Sequence, residues 1–89
     1  MTNRLNIGDI VAHFKYHDND ETEKKRNKYL YKILAFGIHT ETKEKEVVYQ
    51  ALYDNFQVYI RPYSMFMGEV DKNKYPNAKQ KYRFEKFSC

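Results

Sequence analysis

Short apolar runs separated by charged runs set the pattern of this chain. In "IGDIVAHFKY" a Gly-Asp turn signal precedes Ile10, Ala12 and Phe14, which alternate with Val11, His13 and Lys15. A period of two predicts a strand over 9–16. "YLYKILAFGIHT" is rich in aromatic and β-branched residues and predicts a long strand over 29–40, with Gly37 marking a bulge or bend. "EVVYQALY" and "QVYIR" predict strands over 46–53 and 57–61, and Pro62 removes the donor that would extend the second. "PYSMF" suits one turn of 3₁₀-helix, with Met65 and Phe66 packing inward. "GEV" reads as a brief strand, and "YRFEKF" alternates aromatic with charged residues as a last strand should.

The charged runs predict the connections. "HDNDETEKKRNK", residues 17–28, carries four acids, then four bases, and no apolar residue. It reads as an exposed loop; the alternative is a short helix with Glu21 four residues before Lys25. "DKNKYPNAKQK", 71–81, reads as a second, basic loop. Five or six short strands and no long amphipathic helix predict one mainly-β domain over 1–89, a small SH3-like antiparallel barrel. A two-layer sheet with one helix over 17–28 is the alternative.

Register decides which side chains of the central hairpin face inward. A two-residue turn at Asp54-Asn55 pairs Tyr53 with Phe56, Ala51 with Val58 and Tyr49 with Ile60. These six form a core face. The opposite face then pairs Leu52 with Gln57, Gln50 with Tyr59, and Val48 with Arg61.

Composition adds less. In 89 residues the net charge is +4, and from Lys72 to Lys86 six basic residues meet only Glu85. That excess favours an anionic partner. Tyrosines number nine and phenylalanines six, with no tryptophan. The single cysteine is Cys89, so no disulfide forms within the chain, which fits a reducing compartment. No apolar run reaches signal-peptide or membrane length. The expectation is a soluble cytoplasmic protein that does not enter a membrane.

"HTETKEKEVVYQALYDNFQVYIRPYSMF", followed by "YRF", resembles the small bacterial and phage family known as domain of unknown function 1653 (DUF1653). The matching positions are His39, Thr42, Tyr49, Gln50, Tyr53, Arg61, Pro62, Met65, Phe66, Arg83 and Phe84. The chain departs from the family in its 17–28 stretch, where the family has a short Lys-Gly turn. It also lacks glycines in the hairpin turn, and Tyr59 or its neighbourhood replaces a tryptophan. The resemblance implies a small β-barrel and no known activity. A phage setting would allow sequestration of a host nucleotide signal, or an accessory protein that inhibits a host factor.

Catalysis has little support. Ser64 lies in a tight turn with no base near it in sequence, Cys89 is terminal, and His39 with Glu41 is the one acid–base pair. His13 and His17 stand four apart, a ligand spacing that suits a helix but not a strand followed by a loop. No enzyme activity, metal or cofactor is expected. Binding of a phosphate-bearing ligand, nucleotide or nucleic acid, is the leading expectation. Arg61 offers a planar fork, Gln50 can donate and accept, and Tyr59 offers a stacking face, with Arg83 and His39 completing the candidate ligand-binding set. Two alternatives remain open: a protein-interaction module gripping a peptide with Tyr16, Tyr29, Tyr59 and Tyr63, and a homodimer that buries the Gln50–Tyr59–Arg61 face.

Overall fold

A computed structural model describes residues 4–87, so the cysteine, Cys89, lies outside the described residues. The elements are β1 (Ile10–His13), a 3₁₀ turn (Phe14–Asp18), α1 (Glu21–Lys25), β2 (Leu30–Ile38), β3 (Lys45–Ala51), β4 (Val58–Pro62), α2 (Tyr63–Phe66) and β5 (Phe84–Lys86). The strands form one antiparallel sheet in the order β4-β3-β2-β1-β5. The protein is therefore mainly β, as its pattern predicts. The sheet is not closed into a barrel: among the described residues no ladder joins β4 to β5.

Several boundaries move for local reasons. β1 stops at His13, because Lys15 donates its backbone N–H to His13 Nδ1 and turns the chain into the 3₁₀ segment. The 17–28 stretch is not one exposed loop. Asp20 and Glu23 form a reciprocal capping box that starts α1, the short helix given above as the alternative. Its ion pair is Glu23–Lys28 at 2.8 Å rather than Glu21–Lys25. Gly37 lies in regular strand. The bulge falls between Ile33, opposite Tyr49, and Ala35, opposite Val48. "GEV" contributes only an isolated bridge from Glu69 to Tyr82. The 62–66 turn is α-helical over Tyr63–Phe66 and splits its two apolar residues: Phe66 is fully buried, whereas Met65 is 51% exposed.

The central hairpin is one residue out of the expected register. Gln50 pairs with Val58, Tyr49 with Tyr59, Val48 with Ile60, and Val47 with Arg61. The connection is longer than a two-residue turn, with Ala51 N–H bonded to the Gln57 carbonyl at 2.9 Å. Asp54 and Phe56 both adopt left-handed backbone, at φ 53° and 56°. The slip turns β4 over. Tyr59 and Arg61 share the inner face with Tyr49, while Val58 and Ile60 share the outer face with Gln50. Phe56, Val58 and Ile60 are exposed rather than buried, and no Gln50–Tyr59–Arg61 face exists.

A left-handed phenylalanine carries a steric cost of ~1–2 kcal/mol, and Phe56 is too exposed to recover it by packing. Phe56→Gly should therefore raise stability by up to ~1 kcal/mol after the glycine's entropy is counted. Thermal unfolding would check it.

The core lies on the inner face. Leu5, Val11, Tyr31, Ile33, Val47, Tyr49, Ala51, Phe66 and Phe84 form one buried cluster. The Phe66 and Phe84 rings stack at 4.1 Å and 5°. Tyr49 meets both edge-on, at 4.9 and 5.6 Å. Contact between β3 and β5, which are not neighbours in the sheet, means that the sheet curls over α2. The Tyr31 and Tyr53 hydroxyls pair at 2.7 Å. Burial pushes the Tyr31 hydroxyl well above its ordinary pKa, so it stays a neutral hydrogen-bonding group.

Candidate functional site

The expected basic loop is folded down onto the sheet, and one buried side chain anchors it. Gln80 donates from Nε2 to the carbonyls of Ala12 (3.1 Å) and Tyr82 (3.2 Å). Its Oε1 accepts from His17 Nε2 at 2.8 Å, the amide orientation fixing the imidazole as donor. Lys72 closes the loop on the carbonyls of Ala78 and Gln80. Asp71 Oδ1 accepts the N–H groups of Asn73 and Lys74 and forms the turn that presents Lys74 and Tyr75.

On the other side stands the end of β1. His13 pairs with Phe84, and Phe14 N–H bonds to the Arg83 carbonyl at 2.9 Å, so Arg83 enters beside the 3₁₀ turn. Between these walls is a cleft of about 260 Å³ lined by His13, Phe14, Lys15, Val70, Asp71, Lys74, Tyr75 and Arg83. Three basic side chains, Lys15, Lys74 and Arg83, share the cleft with one carboxylate, Asp71, that is already bonded within its own turn. The Arg83 Nε is buried and has no hydrogen-bond partner among the described residues. A buried charged donor without an acceptor is costly, and such groups call for an explanation.

His13 sits where these charges converge. Its ring packs on Phe14 (4.4 Å), Phe84 (5.2 Å) and Tyr29 (5.7 Å). Burial, then the charges of Lys15, Arg83 and Arg61, lower its pKa to about 4. It is therefore neutral near pH 7, and because Nδ1 accepts from Lys15, its proton is on Nε2. Tyr75 packs at a tilt against Phe14, ring centres 4.8 Å apart, with Lys15 and Lys74 at 5.8 and 5.6 Å from its ring centre. A neighbouring depression of about 230 Å³ shares Phe14, Lys74 and Tyr75 and adds Asp18, Pro76, Asn77 and Ala78. The arrangement supplies cations for an anion and an aromatic edge beside it.

The five residues singled out from sequence separate here. Arg83 is in the cleft. Arg61, on β4, does not line the cleft; its Nε donates to the Tyr49 hydroxyl at 3.4 Å, and its charge reaches His13. Tyr59 lies 5.7 Å from Tyr49 on the same face. Gln50 is elsewhere: it donates to the Phe56 carbonyl at 3.0 Å and holds the hairpin loop from the outer face. His39 is also remote. Its Nδ1 accepts the N–H groups of Glu41 and Thr42 and closes the β2–β3 turn.

His13 with Lys15, and Lys74 with Tyr75, are two pairs far apart in sequence and are not recognisable there as a group. The usable signal was Lys15 and Lys74 beside aromatic residues; their meeting depends on Gln80. Among the described residues no three His, Cys, Asp or Glu side chains gather as a metal site would require. No described helix is long and apolar enough to cross a membrane.

A family model described as a protein of unknown function, DUF1653, matches residues 9–86. The chain belongs to the DUF1653 family. No curated protein and no solved structure matches it. The DUF1653 match spans both walls of the cleft, from His13 to Arg83.

Proposed function

We infer that this DUF1653 protein is a non-catalytic binding module for a small phosphate-bearing anion, such as a free nucleotide. The observation that carries the reading is the buried, unpartnered Arg83 Nε beside a cleft that Lys15 and Lys74 also line. The cleft's volume favours a single phosphate group with an attached ring over a long polymer. The strand order, with one helical turn between β4 and β5, supports reading the fold as an SH3-like barrel left open along one seam. A cytoplasmic nucleotide binder in a reducing compartment fits this scheme.

Titration with inorganic phosphate and with a nucleoside 5′-monophosphate, followed by NMR, tests the site. Shifts should concentrate at His13, Lys15, Lys74 and Arg83. Lys15→Ala with Lys74→Ala should weaken binding at least tenfold, since a hydrogen bond to a charged group contributes ~1.5–3 kcal/mol. A free anion should show a shallow salt dependence, and a polymer a steep one. Absence of shifts at these four residues would remove the reading.

Sulfate, whose charge is constant between pH 4 and 7, adds a pH readout. His13 shares the cleft with Lys15, Lys74, Arg83, Asp71 and Tyr75 and also feels the charge of Arg61. As pH falls from 6.5 toward about 4, His13 gains a proton and sulfate should bind more tightly. By the same linkage, bound sulfate should raise the His13 pKa. Without ligand, stability should fall over this window, because the unfolded chain takes up the His13 proton first.

A further inference from the structure

The geometry points to a symmetric dimer in which β4 pairs with β4 of a second copy, with the two-fold axis at Tyr59. β4 is one edge of the sheet. The opposite edge, β5, is only three residues long and ends in Lys86, the usual way of blunting an edge. β4 is longer, and Val58, Tyr59 and Ile60 are all exposed on it.

Backbone parity shows which groups point outward; the Val58 carbonyl already accepts from the Gln57 side-chain amide at 3.1 Å and keeps a second lone pair for a partner strand. Ala51 N–H bonds to the Gln57 carbonyl, so 51 and 57 are a hydrogen-bonded pair. Alternation makes 49–59 and 47–61 hydrogen-bonded pairs as well. The N–H and C=O groups of Gln57, Tyr59 and Arg61 therefore point toward β3, and those of Val58 and Ile60 point away from the sheet. Pro62 also occupies an outward position and has no N–H to offer.

Only one antiparallel self-pairing uses every outward N–H and C=O of Val58 and Ile60. With the axis at Tyr59, Val58 of each copy faces Ile60 of the other, and four backbone hydrogen bonds form with no outward donor left over. Moving the axis to Ile60 sets the Val58 carbonyl against Pro62, which cannot donate. Moving it to Val58 brings in Phe56, whose left-handed backbone cannot continue a strand. Pro62 and Phe56 thus bracket a single register.

Side chains agree with that register. On the outer face, Val58 and Ile60 from both copies form one apolar patch. It continues into each sheet through Val48 and Ile38, which already share a shallow depression with Ile60. On the inner face the two Tyr59 rings meet at the axis, and Gln57 stands opposite Arg61, so no two like charges face each other. This contact differs from burial of one hairpin face, because the strand edge, and not a face, carries it. One strand pair buries less than the ~1,200–2,000 Å² of a standard interface, so the dimer is reversible.

Sedimentation of the full chain across the micromolar to millimolar range should show the mass rising to twice that of the chain. Ile60→Lys should raise the dimer dissociation constant at least about tenfold without unfolding the monomer, since Ile60 is 68% exposed. In a Cys89→Ser background, Tyr59→Cys should form a disulfide-linked dimer at least about tenfold faster than Val58→Cys, because residues at the axis face each other at bonding distance. A monomer at every concentration overturns the proposal. So does a dimer in which Val58→Cys crosslinks as fast as Tyr59→Cys.

Discussion

Phe66→Ala should cost about 3–5 kcal/mol, the largest single loss of stability that this fold offers. Phe66 is fully buried, stacks face to face on Phe84 and meets Tyr49 edge-on. It rises from a one-turn helix and joins β3 to β5 on the inner side of the curl. Neither a single helical turn nor a three-residue β5 has much stability of its own. Loss of the ring leaves a cavity at the point that holds both. A domain of this length is stabilised by only ~4–13 kcal/mol in total, so the variant should be partly unfolded near body temperature. Met65→Ala, one residue earlier, should change stability by less than ~0.5 kcal/mol, because half of Met65 faces solvent. Chemical denaturation of the two variants side by side is the check. Comparable losses would mean that the 63–66 turn is seated differently.

The contrast between Met65 and Phe66 shows how far the sequence could be read. Period-two alternation located the strands to within a few residues, because half-buried strands impose that period wherever they lie. Tyr49 and Ala51 were recognisable as core for the same reason. The hairpin register was not legible. It depends on Asp54 and Phe56 both taking left-handed backbone, and nothing about a phenylalanine announces that. One residue of slip exchanged Tyr59 and Arg61 with Val58 and Ile60 between the faces. Only neighbours separate a catalytic, binding or turn-closing role for a polar residue. Gln50 and His39 have the chemistry for recognition but spend it on nearby backbone. The cleft was illegible for a different reason. It exists because Gln80 bonds to Ala12, 68 residues away, and brings Lys74 to the end of β1. No local pattern encodes a contact at that separation.

Arg83→Met should make the free protein more stable and weaken the proposed anion binding. The two effects share one cause. The buried Nε of Arg83 gives up its water and gains no acceptor, which costs ~1–3 kcal/mol for a polar group left unmade. Methionine keeps the apolar stem and has no donor to leave unsatisfied. The backbone bonds of residue 83, from Phe14 N–H and to the Gly68 carbonyl, do not depend on its side chain. Thermal unfolding should therefore shift upward by several degrees, as ~1 kcal/mol gives ~4–8 °C in a domain of this size. Phosphate affinity should fall ~10–100-fold, the equivalent of one lost charge-assisted interaction. Arg83→Lys restores the charge without the planar fork and should recover only part of the affinity. Opposite movement of stability and binding is the signature of a group retained for a ligand. If Arg83→Met lowers stability instead, the guanidinium serves the fold, and the case for an anion site falls back on Lys15 and Lys74 alone.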